Sequence, residues 1–144
     1  MNYGNRAPRM DYNVRCFLED MKGIFDDVNI DNAALFADAY AIFEADPTRE
    51  GATKAAELYV STFAEVLDYL ISKTRSLIAE HRLNRSQCNR IGIHKKIERF
   101  ERQSRHNLER LRTEFVDKSV NGTMDHMAEA AGAFSKMMEE ALFS

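Results

Sequence analysis

From Ala55 to His81, the residues Ala55, Leu58, Tyr59, Thr62, Phe63, Val66, Leu70, Thr74, Leu77, Ile78 and His81 fall into line at helical spacing, with no glycine or proline among them. This is the stripe of an amphipathic helix of about 30 residues, roughly 45 Å long if straight. A rod of that length in a chain of 144 residues cannot cover its own apolar side and must be covered by other rods. Leu67, Tyr69 and Ile71 widen the apolar face, so contact on more than one side is expected, as for the central helix of a bundle. Proline occurs only at Pro8 and Pro47 and glycine only six times, so little of the chain is marked as turn. No strand-like alternation, internal repeat or low-complexity tract is present. The expected fold is all-α, a bundle of about five helices, two of them long and antiparallel.

The remaining helices follow from the same periodicity. Val14, Phe17, Leu18, Met21, Ile24, Phe25 and Val28 place a first helix over about 11–28. Asn29, Asp31 and Asn32 supply turn and N-cap chemistry, and Leu35, Phe36, Ala39, Tyr40 and Phe43 mark a second, shorter helix. Asp46-Pro47 closes it, because the residue before proline is driven out of helical geometry. Pro47 or Thr48 then opens the long central helix. The stretch from Asn84 to Gly92 reads as a connection. Ile93, Ile97, Phe100, Ser104, Leu108, Leu111 and Phe115 form the next stripe, which Asn121-Gly122 stops. Around that stripe, Glu98 with Arg102, Glu101 with Arg105, and Arg105 with Glu109 are expected i,i+4 ion pairs. Met124, Met127, Ala128, Ala131, Phe134, Met138 and Leu142 mark a fifth helix. The chain is expected to be one bundle domain over 10–144, preceded by a flexible segment over 1–9.

Charge is laid out in blocks. From Lys73 to Arg112 there are 12 Lys and Arg against 4 Asp and Glu, whereas from Asp11 to Ser72 there are 4 against 13. From Thr113 to Ser144 the count is 2 against 6, so the net charge of −3 conceals an acid–base–acid order. Arg82, Arg85, Arg90, Lys95, Lys96, Arg99, Arg102, Arg105, Arg110 and Arg112 form the basic strip. Arg85, Arg90, Lys95, Lys96, Arg99, Arg102, Arg105 and Arg112 are the candidate interaction surface. Either the acidic helices neutralise this strip within the fold, or it faces a partner. A second candidate docking face is Met124, Met127, Met137 and Met138, since flexible thioethers repack around varied partners. Core filling is the commoner use of such methionines.

Catalytic chemistry is not marked. His81, His94, His106 and His126 form no H-x-x-x-H or E-x-x-H pair, so no helix face offers two metal ligands. No glycine-rich phosphate loop or nucleophile elbow exists, and no cofactor is expected. Cys88 lies among Arg85, Arg90 and Lys95, an electropositive setting for a reactive thiol, but a surface or half-buried connector cysteine is the plainer reading. The expectation is a non-enzymatic protein. Cys16 and Cys88 are far apart in sequence, no run of about 18 apolar residues occurs, and the polar N-terminus lacks a signal-peptide core. A cytoplasmic location is the expectation.

Phe43-Glu-Ala-Asp-Pro-Thr-Arg, Ala55-Ala-Glu-Leu-Tyr59-Val and Phe63-Ala-Glu-Val-Leu67-Asp-Tyr-Leu70-Ile resemble a helical domain near the N-terminus of fungal NACHT-type (NLR-like) proteins. In that family a Leu-Tyr dipeptide opens a long helix that ends in a Leu-x-Phe/Tyr-Leu patch. The basic segment Ile93-His-Lys-Lys-Ile97-Glu-Arg-Phe-Glu-Arg-Gln-Ser104 is similar to the one that follows there. The resemblance covers roughly Phe43 to Glu114 and rests on amphipathic pattern. It departs from the family in its short first helices and in having no nucleotide-binding domain within the 144 residues. It implies a signalling or assembly module acting through protein contacts, and it assigns no binding residue. A protein partner or self-association is therefore expected first. The alternative is accessory binding of nucleic acid or anionic lipid through the strip 82–112. A third reading is a membrane-disrupting bundle like the executioner domains of fungal cell-death proteins, though no apolar N-terminal segment favours it.

Overall fold

The computed structural model describes residues 11–122, together with Gly132 and Lys136, both helical and exposed. The segment 1–9 and, apart from those two positions, the expected fifth helix lie outside the described residues. The chain is all-α: α1 (Tyr12–Asp27), α2 (Asn32–Ala45), α3 (Arg49–Glu80), α4 (Arg85–Ile91) and α5 (Ile93–Val120), with no strand among the described residues.

The boundaries have local causes. The Asp31 carboxylate accepts from the Ala34 N–H at 3.0 Å and opens α2, and the Thr48 hydroxyl accepts from the Gly51 N–H at 3.2 Å and opens α3. The stretch Asn84–Gly92, expected as a plain connection, contains α4 instead. Its Asn84 and Gln87 make a reciprocal capping box: the Gln87 N–H donates to Asn84 Oδ1 at 2.8 Å and the Asn84 N–H to Gln87 Oε1 at 3.0 Å. Residues that resembled loop formers are thus caps, and Gly92 (φ 63°) ends α4 and begins α5 without a gap.

At the end of α3, the Leu83 N–H donates to the Ile78 carbonyl and the Arg82 N–H to the Ala79 carbonyl, both at 3.1 Å. This is the Schellman closure, in which the left-handed position ordinarily belongs to glycine. Here Arg82 occupies it with φ 53°. An L-residue in that region costs about 1–2 kcal/mol, against the larger unfolded-state freedom of glycine of about 0.5–1 kcal/mol. Arg82→Gly is expected to raise stability by about 0.5–1 kcal/mol in urea unfolding. A loss would show that the arginine side chain makes a contact worth more than its backbone strain.

Ion pairs mark the register of the long helices. Arg49 with Asp117, Glu57 with Arg112 and Asp68 with Arg105 ascend α3 while descending α5, so the two run antiparallel. Asn13 and Asp20 meet His81 at the far end of α3, whereas Asn32 meets Tyr59 nearer its start. Helices α1 and α2 therefore form one rod antiparallel to α3, broken at residues 28–31. Phe25 against Phe100 (centroids 5.6 Å apart) and Phe36 against Phe115 (6.2 Å) join that rod to α5. The result is a three-rod bundle with α4 at one end.

The core lies where the rods converge. Tyr59, Phe17, Phe63, Phe100 and Phe115 are its largest fully buried side chains. All seven residues of the expected α5 stripe are buried. On α3 Leu67 and Ile71 are buried, as expected of the widened face, but the arc departs from the expected stripe elsewhere: Val60 is buried, Thr62 and Val66 only half-buried, and Leu58 exposed. Tyr69, expected to widen the apolar face, is 53% exposed. The physical reason is the flanking of α3 by α5 as well as by α1–α2, which draws the arc toward α5.

A polar clasp holds α1 to the α3–α4 corner. The Asn13 and Gln87 amides exchange hydrogen bonds at 3.0 and 2.9 Å, and Asn13 also donates to the His81 carbonyl at 3.2 Å. Gln87 Nε2 and Arg90 Nη2 each donate to Asp11 Oδ2 at 2.8 Å. The Gln87 hydrogen bond, and after it the Arg90 guanidinium, hold the Asp11 carboxyl below the usual carboxylate range. A depressed carboxyl stabilises the fold above its unfolded-state pKa, and that contribution is lost as pH falls through the folded-state value. Asp11→Asn is therefore expected to melt earlier than the parent at neutral pH, with the gap closing below the ordinary carboxylate range. A gap that persists unchanged in acid would remove the charge from the account.

Candidate interaction surface

The core-facing stripe of α5 fixes what points away. Lys95, Arg99, Arg102 and His106 follow one another at four, three and four residues on the opposite side of the helix, and all four are exposed. Arg85 on α4 and Arg82 in the preceding turn are exposed as well, and Lys96 is half-buried.

The structure divides the basic strip into two sets. Arg90 pairs with Asp11 at 2.8 Å, and Arg105 pairs with Asp68 at 3.0 Å and Glu101 at 3.7 Å. Arg112 lies with its Nε 2.8 Å from Glu57 Oε1 and also contacts Glu109, and Arg110 reaches Glu114 at 3.8 Å. Arg90, Arg105 and Arg112 are thus spent on joining helices. By contrast Arg85, Lys95, Lys96, Arg99 and Arg102 have no ion pair among the described residues. Of the expected i,i+4 pairs only Glu101 with Arg105 forms, Glu109 turning to Arg112 instead. Lys95, Lys96, Arg99 and Arg102 lie within about two turns, roughly 10 Å of helix. Cations that close repel one another, and the exposure of Lys95, Arg99 and Arg102 to water keeps the cost low.

The opposite charge collects on a different rod. Between Gly23 and Thr48 the chain carries six carboxylates and no Lys or Arg. Asp31 caps α2 and Asp46 accepts from the Thr48 hydroxyl at 2.9 Å. Asp26, Asp27, Asp38 and Glu44 are exposed and have no ion pair among the described residues. These four belong to the α1–α2 rod, while the free cations belong to α4 and α5. Periodicity could not separate paired from unpaired arginines, because the partners Glu57 and Asp68 are 55 and 37 residues distant and depend on helix register.

Between α3 and α5 runs a groove of about 520 Å³ whose charged lining is Asp68, Arg75, Glu101 and Arg105. Its two cations and two carboxylates balance. Cys16 is half-buried and Cys88, expected at a surface or half-buried, is buried in α4; both are free thiols. Among the described residues no three His, Cys, Asp or Glu gather to hold a metal ion, and no helix is long and apolar enough to cross a membrane. The candidate docking face of Met124, Met127, Met137 and Met138 lies outside the described residues. Compared with known proteins, the chain matches no family model, no curated protein and no solved structure.

Proposed function

We propose that this chain is a non-enzymatic helical interaction module of signalling or assembly type, which docks on an acidic protein surface through the outward row of α5. One observation carries the reading: Lys95, Arg99 and Arg102 share one exposed face and find no carboxylate among the described residues. The likeness to the helical domain of NACHT-type proteins supports the same class of activity. Docking of this kind is steered by charge and weakens with salt, since the screening length falls from about 10 Å at 0.1 M to about 3 Å at 1 M.

The test is titration with poly-L-glutamate at low and high salt, for the parent chain and for Lys95→Glu/Arg99→Glu/Arg102→Glu. The parent is expected to bind at low salt only, and the triple variant at neither. Equal binding by both would place the contact elsewhere and overturn the assignment.

The second reading, nucleic acid or anionic lipid on the same row, is favoured by the close spacing of four cations on about two turns of helix. Against nucleic acid, the outward positions 95, 99 and 102 carry no aromatic side chain to stack on a base, which leaves His106 as the single ring of the row. Duplex DNA and phosphatidylserine vesicles in the same titration distinguish these partners. DNA binding with a log–log salt slope near −3 would favour a polyanion, at about one counterion per engaged cation.

A further inference from the structure

We infer that the acidic surface met by α5 belongs to a second copy of this chain, the α1–α2 face of one copy lying on the cation row of the next. The inference rests on the docking reading above and adds the partner's identity. Its first support is charge complementarity: among the described residues, the exposed Lys95, Arg99 and Arg102 on one side of α5 and the exposed Asp26, Asp27, Asp38 and Glu44 along the α1–α2 rod have no ion pair. Helix α2 contains no Lys or Arg to neutralise its carboxylates.

Its second support is that the described residues of one copy do not bring the two sets of charge together. The two sets sit on the outward sides of different rods, which the Phe25–Phe100 and Phe36–Phe115 contacts hold together at their inward sides. The spans agree as well. Lys95 to Arg102 and Asp38 to Glu44 each cover about 10 Å of helix, and because Asp38 and Glu44 stand about 120° apart on the two flanks of α2's outward side, the row meets one or two opposite charges on either flank. Exposed pairs contribute little singly, and several arranged in one patch act mainly on encounter and register. The contact is therefore expected to be reversible and sensitive to salt.

The experiment is molar mass by light scattering after size exclusion at low salt, using the full chain. Four samples are compared: the parent, K95E/R99E/R102E, D27K/D38K/E44K, and an equimolar mixture of the two variants, each checked for helix content by circular dichroism. The parent is expected above the 16.6 kDa of one chain, returning to it at high salt. Each variant alone is expected at one chain mass, and the mixture at twice that mass, because reversed faces complement each other. If a reversal disturbs folding, the neutral K95Q/R99Q/R102Q and D27N/D38N/E44Q replace them, and each should abolish association of its own chain. A parent at one chain mass in low salt, or a mixture that stays there, overturns the second-copy assignment. If that parent still binds poly-L-glutamate through the row, the docking reading survives alone. If it binds neither, both fail.

Discussion

Gly51→Ala is expected to destabilise the bundle by about 2–4 kcal/mol, the reverse of what the same change does in most helices. A Cβ at this position would stand 1.7 Å from the Asp46 carbonyl oxygen and 2.8 Å from its carbon. Both are backbone atoms, so no side chain can swing aside. Relief requires parting the end of α2 from the first turn of α3, which breaks the Thr48 cap and shifts the corner that positions both helices. Gly23 is the control. It lies within α1 with nothing within 4 Å of its would-be Cβ. Gly23→Ala is expected to stabilise by about 0.5–1 kcal/mol through helix propensity. Urea unfolding of both variants checks the pair, and a stabilising Gly51→Ala would mean that the corner is looser than described.

The second large effect belongs to Tyr59. Its ring is fully buried against Phe36, Phe63 and Phe115, with centroids 6.1, 5.3 and 5.4 Å away, and its hydroxyl donates to Asn32 Oδ1 at 2.6 Å. Tyr59→Ala opens a cavity where the three rods meet and is expected to cost about 3–5 kcal/mol. Tyr59→Phe keeps the ring, loses one hydrogen bond, and is expected to cost about 1 kcal/mol. Burial pushes the hydroxyl up to about 12, from 10.0. A group whose folded-state pKa is raised gives stability that is complete below its unfolded-state value and lost as pH rises toward the folded one. The parent is therefore expected to lose stability between pH 10 and about 12, and Tyr59→Phe to lose less over that window. Thermal unfolding across the alkaline range measures both slopes, and parallel slopes would contradict the buried hydroxyl.

Helix existence was legible wherever one face alone is buried. On α5 the periodic apolar residues and the buried residues coincide from Ile93 to Phe115. On α3 they diverge, because a helix flanked on two sides buries a wide arc, and spacing cannot tell which edge of it meets solvent. Leu58, within the expected stripe, is exposed for that reason, and Val60, outside it, is buried. Helix α4 was hidden because Asn84, Ser86 and Asn89 carry the same local signal in a loop and in a short capped helix. The clasp of Asp11, Asn13 and Gln87 was hidden by distance, its partners lying 74 and 76 residues apart. The charge blocks were legible as composition, but which arginines are engaged depends on register between α3 and α5. Arg105 and Arg102 look alike in sequence, yet one grips Asp68 and the other points away from the core.

If the row of α5 faces a partner, its outward cations contribute nothing to holding the bundle together. The most direct measurement is the melting temperature of K95E/R99E/R102E beside that of Arg112→Glu, at moderate salt. Reversing Lys95, Arg99 and Arg102 is expected to change stability by no more than about 0.5 kcal/mol, a degree or two. Reversing Arg112, which lies between Glu57 and Glu109, is expected to cost about 1–3 kcal/mol, because it sets like charges together between α3 and α5. That order of effects supports a row free to meet a partner. A triple variant that melts well below Arg112→Glu would contradict the account, showing the row already neutralised within its own chain.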